Sequence, residues 1–367
     1  MIKNLTKFLK ILFIIILFFL FIDITVGKYV YKKFIKERII DKDNNFGKYD
    51  EVYDHKFTAN LDVTGGFGSL RHRLCTDNNS FKSSCNAKEK KLNFFDIAFI
   101  GDSFTEAVGY DYEKSFVGII DQHLKKKRIA NMGMTSYSPS IYYAMMNKFI
   151  TDGFKFKEVI VFLDLSDLVD DVLCYQVQDN KRVKRRDTFT GCYKNFNKQK
   201  KLYSKFIEKN FKFANLIYEM IIYEVLKKEN YRYIDVINHS RSEWSYNYNK
   251  NNFNNLEFKD AINISKKNME NLYLLLKKNS IELSVAVYPW PGTLKYDVVD
   301  NSYVKVWEEF CLNKCKKFYN LMPDFFYEVN KNNFRNIYKK FYIENDVHFN
   351  SKGNKFLAEK FLLQYNN

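Results

Sequence analysis

The chain has 367 residues, 46% of them hydrophobic, and carries 59 Lys and Arg against 43 Asp and Glu, for a formal charge of +16. A chain this long and this apolar buries a sizeable core, which excludes a disordered polymer, and its length favours one main domain with additions. Lysine is spread along the whole length, the densest cluster, "NKRVKRRD" at 180–187, reads as a solvated loop, and no nucleic-acid-binding signature accompanies the charge, so no nucleic acid partner is expected.

At the amino end Lys3, Lys7 and Lys10 precede twelve uninterrupted apolar residues, Ile11 to Ile22, closed by Asp23. With its apolar flanks the run approaches the roughly 20 residues that span a bilayer, and residues 1–28 are expected to form a signal anchor or transmembrane segment. No small-x-small cleavage site follows in "DITVGKYVYKK", which favours an uncleaved anchor over a cleaved, secreted form. Lys28, Lys32, Lys33, Lys36 and Arg38 follow the run, and by charge count alone they would keep the globular part in the cytoplasm. The cysteines argue the other way. Cys75 with Cys85 and Cys174 with Cys192 form two sequence-local pairs in polar segments, which suits disulfides in an oxidising, periplasmic or extracytoplasmic compartment, although six cysteines allow about 15 pairings. Cys311 and Cys315 instead share a helical face with Val304, Trp307 and Phe318 and read as buried core thiols. No second Cys or His pair stands at zinc-ligand spacing, so neither metal nor cofactor is expected.

Residues 29–92 read as a turn-rich extension. Its "TGGFGS", 64–69, lacks the GK[ST] ending of a phosphate loop and is expected to be a turn. From residue 93 short apolar runs alternate with helical stretches, the pattern of a parallel α/β sheet. Strands are expected at 94–100, 128–132, 158–164, 282–288 and 318–322. Helices are expected near 114–126, 139–151, 259–278, 303–317 and 351–364, the second opened by a Ser138 cap and Pro139. Five strands with covering helices make a three-layer α/β/α sandwich over 93–367. Residues 170–257, basic, aromatic and asparagine-rich with a helical stretch at 201–228, break the rhythm and read as an inserted cap.

In an open α/β sheet ligands bind beyond the carboxyl ends of the strands. Ser103 stands there in "GDSFTEAVG", after the first strand, but a serine hydroxyl needs a base within hydrogen-bond reach. Of the five histidines, His348 has the right context, a short polar loop before the last helix, with Asn350 or Ser351 as cap and Asp346 two residues earlier to hold the ring.

Ser103 in GDS after a buried strand, with Asp346 and His348 before the final helix, resembles the SGNH, or GDSL-type, esterase and acyltransferase superfamily over residues 93–365, the insertion excepted. The resemblance implies a flavodoxin-like sheet, a serine nucleophile and an oxyanion site supplied by two further sequence blocks. "NMGMTSYSP", 131–139, is similar to the second block, with Ser136 at the glycine position whose N–H donates and Gly133 earlier as the alternative. "DLSD", 164–167, stands at the third block, with Ser166 where the family has a donating asparagine. The family's usual acid position is Asn345 here, so Asp346 serves from an Asp-x-His spacing resembling that of alginate-acetylation proteins. The resemblance implies an acyl-ester enzyme in which Ser103, His348 and Asp346 do the chemistry and Ser103 N–H, Ser136 N–H and Ser166 hold the oxyanion. Its expected substrate is an acylated, in the first place acetylated, cell-surface saccharide or another small ester. The competing expectation is a non-catalytic glycan-binding or polysaccharide-assembly protein on the same fold.

Overall fold

The computed structural model describes residues 2–23, 25, 46–67, 70–86, 92–186, 236–246, 253 and 256–366. The chain divides into two compact units, Met1–Asn44 with Asn197–Arg232, and Asn45–Phe196 with Tyr233–Asn367. Helix α1, Ile2–Ile22, makes up most of the described part of the first. Among the described residues no helix is long and apolar enough to cross a membrane, so the expected spanning segment is not found. The helix has 21 residues, but Lys3, Lys7 and Lys10 fall in its first half, so its uninterrupted apolar stretch is limited to Ile11–Ile22.

The second unit is built on five parallel strands: β5 (Phe94–Gly101), β6 (Ile129–Asn131), β7 (Lys155–Leu163), β10 (Glu282–Val287) and β11 (Lys317–Asn320), in the order β11-β10-β7-β5-β6. Counted along the chain this is 2-1-3-4-5, the flavodoxin-like order. Strands covered on both faces read as continuous apolar runs. In β5 every residue after Phe94 is buried, and in β7 the last six are. Helices α3 (Phe116–His123), α4 (Pro139–Thr151), α5 (Phe258–Lys278) and α10 (Ser351–Asn366) supply the outer layers. Phe116 of α3 and Phe361 of α10 both pack on Phe99 and Phe162, which puts these two helices on one face. Helices α4 and α5 pack on each other, and right-handed crossovers carry them to the other face.

The helix expected at 303–317 is shorter, α7 (Ser302–Cys311), because Lys317 already belongs to β11. Cys311 and Cys315 form a disulfide rather than a pair of core thiols. Their spacing, read as a helical face, instead lets the chain loop back one turn after the helix ends. Helices α6 (Pro291–Tyr296), α8 (Met322–Lys331) and α9 (Phe334–Phe341) were not anticipated. Ser138 makes no side-chain cap bond at α4. Asp171 does that work, accepting from Ser140 N at 2.9 Å and Ser138 Oγ at 2.7 Å.

The extension contains two hairpins, β1 (Gly47–Asp50) with β2 (Asp54–Phe57), and β3 (Asp62–Phe67) with β4 (Leu70–Cys75). Thr64, Gly65, Gly66 and Phe67, expected in a turn, are strand residues, and residues 68–69 lie outside the described set. Gly65 is small because the His72 ring crosses it; a Cβ there would sit 2.9 Å from that ring. The Cys75–Cys85 disulfide forms as expected. Between those cysteines, Lys82 bridges antiparallel to Asn131 of β6 and so covers the sheet's edge. The described part of the insertion includes the helical turn Asp170–Cys174, the hairpin β8 (Tyr175–Val177) with β9 (Val183–Arg185), and residues 236–246. Cys174 is disulfide-bonded. Cys192 and the helix expected at 201–228 lie outside the described residues.

Candidate active site

Strands β5, β7 and β10 end level, with Gly101 opposite Phe162 and Leu163 opposite Val287. Their following loops therefore leave the sheet side by side, at the point where strand order reverses. The first loop turns at once into a short helix, α2 (Ser103–Glu106), capped by the Asp102 carboxylate, which accepts from Phe104 N at 2.9 Å. Gly101 permits that turn, since a Cβ would strike Thr105 Oγ1 at 2.1 Å.

Ser103 Oγ lies 2.7 Å from His348 Nε2, although 245 residues separate them in the chain. His348 Nδ1 lies 2.5 Å from Asp346 Oδ1, which also accepts the His348 N–H at 2.9 Å. The 343–350 loop is fixed from several sides. Tyr338 OH donates to the carbonyls of Ile343 and Asp346, and Asn350 Oδ1 caps α10 by accepting from Lys352 N and Gly353 N. The imidazole sits against Phe104 at 4.7 Å and takes the edge of Phe67 at 5.4 Å. Burial would push the Asp346 carboxyl up, but the hydrogen bond and charge of His348 outweigh it and hold that carboxyl below its ordinary value. Asn345 is an exposed residue at φ 58° in the same turn, and Asp346, not Asn345, meets the ring.

The expected oxyanion donors lie on three adjacent loops. Ser103 is the first residue of α2, where an N–H has no intrahelical acceptor. Ser136 follows β6 at φ 64°, the left-handed conformation that a glycine would adopt without strain. Among the described residues, neither N–H donates to a protein acceptor, and the Ser166 hydroxyl has no partner either. Gly133, the alternative, has its N–H committed to Asn131 Oδ1 at 3.1 Å, and a Cβ there would strike Thr105 at 2.6 Å. Its smallness serves packing.

Behind these donors lies a buried acidic layer. Asp102, Asp164 and Asp167 bring carboxylate oxygens within 4.8 Å of one another, and this is where a cation would find ligands. Most of those oxygens are already engaged. Asp164 accepts from Ser166 N, Tyr288 OH and Trp290 Nε1, and Asp167 from Asp164 N and Tyr142 OH. Asp102 Oδ2 is 3.1 Å from Ser103 Oγ. Burial, reinforced by neighbouring carboxylates, pushes Asp102 and Asp167 well above the ordinary range. Asp170 is also raised by burial, to about 6, against the pull of Arg241, whose guanidinium pairs with it at 2.6 Å.

Two residues of the insertion, Trp244 and His239, reach this site without any signal in the sequence that marks them. Trp244 Nε1 donates to Leu165 O at 2.9 Å, steadying the peptide before Ser166. The rings of His348, Phe104, Trp290 and His239 follow one another at 4.7, 5.8 and 5.3 Å, so His239 faces the dyad across two aromatics. Burial, and then the charge of Arg241, lower His239 to about 4, which keeps it neutral. Of the other histidines, His72 is buried in β4, His123 ends α3 and His55 belongs to β2.

A flavodoxin-like sheet with a Ser-His-Asp line at its switch point is the layout that the SGNH resemblance implied. No family model matches the chain, and no curated protein matches it. Among solved structures it is similar to TesA, at 9% identity over 73% of this chain and 96% of that one, with a TM-score of 0.39. It is similar to Axe2, an acetylxylan esterase from Geobacillus stearothermophilus, at 10% identity over 74% of this chain and 94% of that one, TM-score 0.41. A member of the lipolytic protein G-D-S-L family from Veillonella parvula DSM 2008 is similar at 12% identity, over 74% and 98%, TM-score 0.36.

Proposed function

We propose that the protein is a serine acyl-ester enzyme of the SGNH type. The observation that carries this reading is the unbroken line from Ser103 Oγ through His348 to Asp346 at the end of β5. In the reaction, His348 Nε2 takes the Ser103 proton as Oγ bonds to the ester carbonyl carbon. The carbonyl oxygen gains the negative charge and is held by Ser103 N–H, Ser136 N–H and the Ser166 hydroxyl. Collapse expels the alcohol, which takes the proton from His348 and leaves acyl-Ser103. Attack on that intermediate by water, deprotonated by His348, makes the protein a hydrolase; attack by a sugar hydroxyl makes it an O-acyltransferase.

The acyl group in this reading is acetyl and its carrier a cell-surface glycan. The aromatic and basic character of 170–257 supports a saccharide ligand. An extracytoplasmic location is part of the proposal, supported by the disulfide-bonded Cys75, Cys85, Cys174, Cys311 and Cys315. The basic start and apolar run of α1 suit an export signal or a membrane attachment.

The test is acetate release from acetylated xylo-oligosaccharides by the full chain, with and without an unacetylated oligosaccharide as acceptor. Release that disappears in Ser103→Ala and His348→Ala supports the reading, and acetyl appearing on the acceptor identifies a transferase. Folded protein that neither releases nor transfers acetyl overturns it and returns the non-catalytic, glycan-binding alternative.

A further inference from the structure

Ser136 is not glycine, yet it holds a left-handed backbone that costs about 1–2 kcal/mol for a residue with a Cβ. Such a conformation persists only where its surroundings over-determine it. Thr135, just before it, gives both its N–H and its hydroxyl to Glu106 Oε2, each at 2.7 Å. Tyr137, just after it, donates its N–H to Met134 O at 3.1 Å and its hydroxyl to His55 O at 2.7 Å. The Thr135 carbonyl faces His55 Nε2 at 2.8 Å.

That carbonyl belongs to the same peptide as the Ser136 N–H. In a trans peptide the two bonds point in opposite directions, so a donor fixed on the oxygen aims the N–H the other way, away from β2. The other ring nitrogen of His55, Nδ1, lies 2.7 Å from Asp54 Oδ2. A carbonyl and a carboxylate only accept hydrogen bonds, so each ring nitrogen of His55 faces an acceptor. Arg185, from β9, grips the same Asp54 carboxylate through Nε at 3.1 Å and through Nη2. Burial would raise the Asp54 carboxyl, but His55 and Arg185 bring it below its ordinary value. His55 itself is 1% exposed, in an interior where such charge-assisted bonds are strong.

We infer that His55 is a positioning residue for the oxyanion site: as a buried imidazolium bound to the Thr135 carbonyl, it orients the Thr135–Ser136 peptide and polarises its N–H towards the developing negative charge. The inference rests on the ester chemistry proposed above. It gives a catalytic purpose to the extension, which lies outside the residues that carry the family resemblance.

The test compares His55→Gln and His55→Ala in the full chain with 4-nitrophenyl acetate as substrate. Glutamine keeps a donor for the Thr135 carbonyl and loses the charge; alanine loses both. The expected result is a fall in kcat of about 10- to 100-fold in His55→Ala, part of the 10²- to 10³-fold that a whole oxyanion donor supplies. KM is unchanged, and His55→Gln recovers part of the loss. Wild-type kcat in folded His55→Ala, or a change confined to KM, overturns the inference. A second measurement needs no activity: the ring ¹⁵N shifts of the histidine-labelled full chain at pH 7, with His55→Gln identifying the signal. Two protonated nitrogens on His55 support the clamp, and one unprotonated nitrogen overturns it. If the wild type turns over no ester while His55 is doubly protonated, the ester reading fails and the geometry of the clamp stands.

Discussion

The loops after β6 and β7 each carry a serine where the resembled family has another residue, and the two replacements differ in kind. In the proposed mechanism the group required at Ser136 is a backbone N–H, which every residue but proline supplies, so only the conformation has to be kept. Contacts from Thr135, Tyr137, Glu106 and His55 keep it, at φ 64°. At Ser166 the required group is on the side chain, and a hydroxyl stands in for an amide. Its own N–H is bound to Asp164 at 2.7 Å, and the preceding carbonyl is bound to Trp244. A backbone donor is thus preserved by the fold around it, whereas a side-chain donor depends on the residue itself.

Ser103→Ala removes what both loops serve, and is expected to lower kcat by about 10⁴-fold or more in ester hydrolysis without loss of folding. Ser166→Ala breaks the side-chain half of the comparison. Steady-state kinetics should show kcat reduced by about 10²- to 10³-fold with KM little changed, and an unaltered kcat would remove Ser166 from the oxyanion site. Ser136→Gly sharpens the backbone half. Activity should stay within about threefold of wild type, because the donor is retained, while thermal melting rises by the equivalent of up to about 1 kcal/mol of relieved strain.

The smallest effect concerns the acidic layer. Asp167 has a raised folded-state pKa, so the folded chain binds more protons than the unfolded one above pH ~3.9. Its burial therefore costs stability increasingly as pH rises through that window, until the folded carboxyl ionises. Asp167 Oδ1 also has no hydrogen-bond partner among the described residues. Asp167→Asn removes the titration and puts a donor at that position, so its melting temperature should exceed that of wild type by more at pH 8 than at pH 5. An equal difference at both values would contradict the raised pKa.

Much of the central architecture is legible in the sequence because its signals are local. The apolar runs of β5 and β7, Pro139 at the start of α4, and Asp346 with His348 beside Asn350 each need only a few consecutive residues to be read. What escapes depends on distant partners. His55 and Thr135 are 80 residues apart, and Arg241 and Asp170 are 71; no spacing rule joins them. The hairpins of the extension escape because strands such as "GKYD" and "DHKF" are four residues long and carry more charge than apolar surface. Cys311 and Cys315 show how one spacing serves two structures, since i and i+4 can share a helical face or close a turn just beyond the helix.

The central claim is that Ser103 is an activated nucleophile. It is tested most directly by treating the folded full chain with a fluorophosphonate and mapping the product by mass spectrometry. The account predicts one phosphonyl group, on Ser103, in the wild type and none in His348→Ala. A folded wild type that stays unlabelled, or is labelled elsewhere, would contradict it.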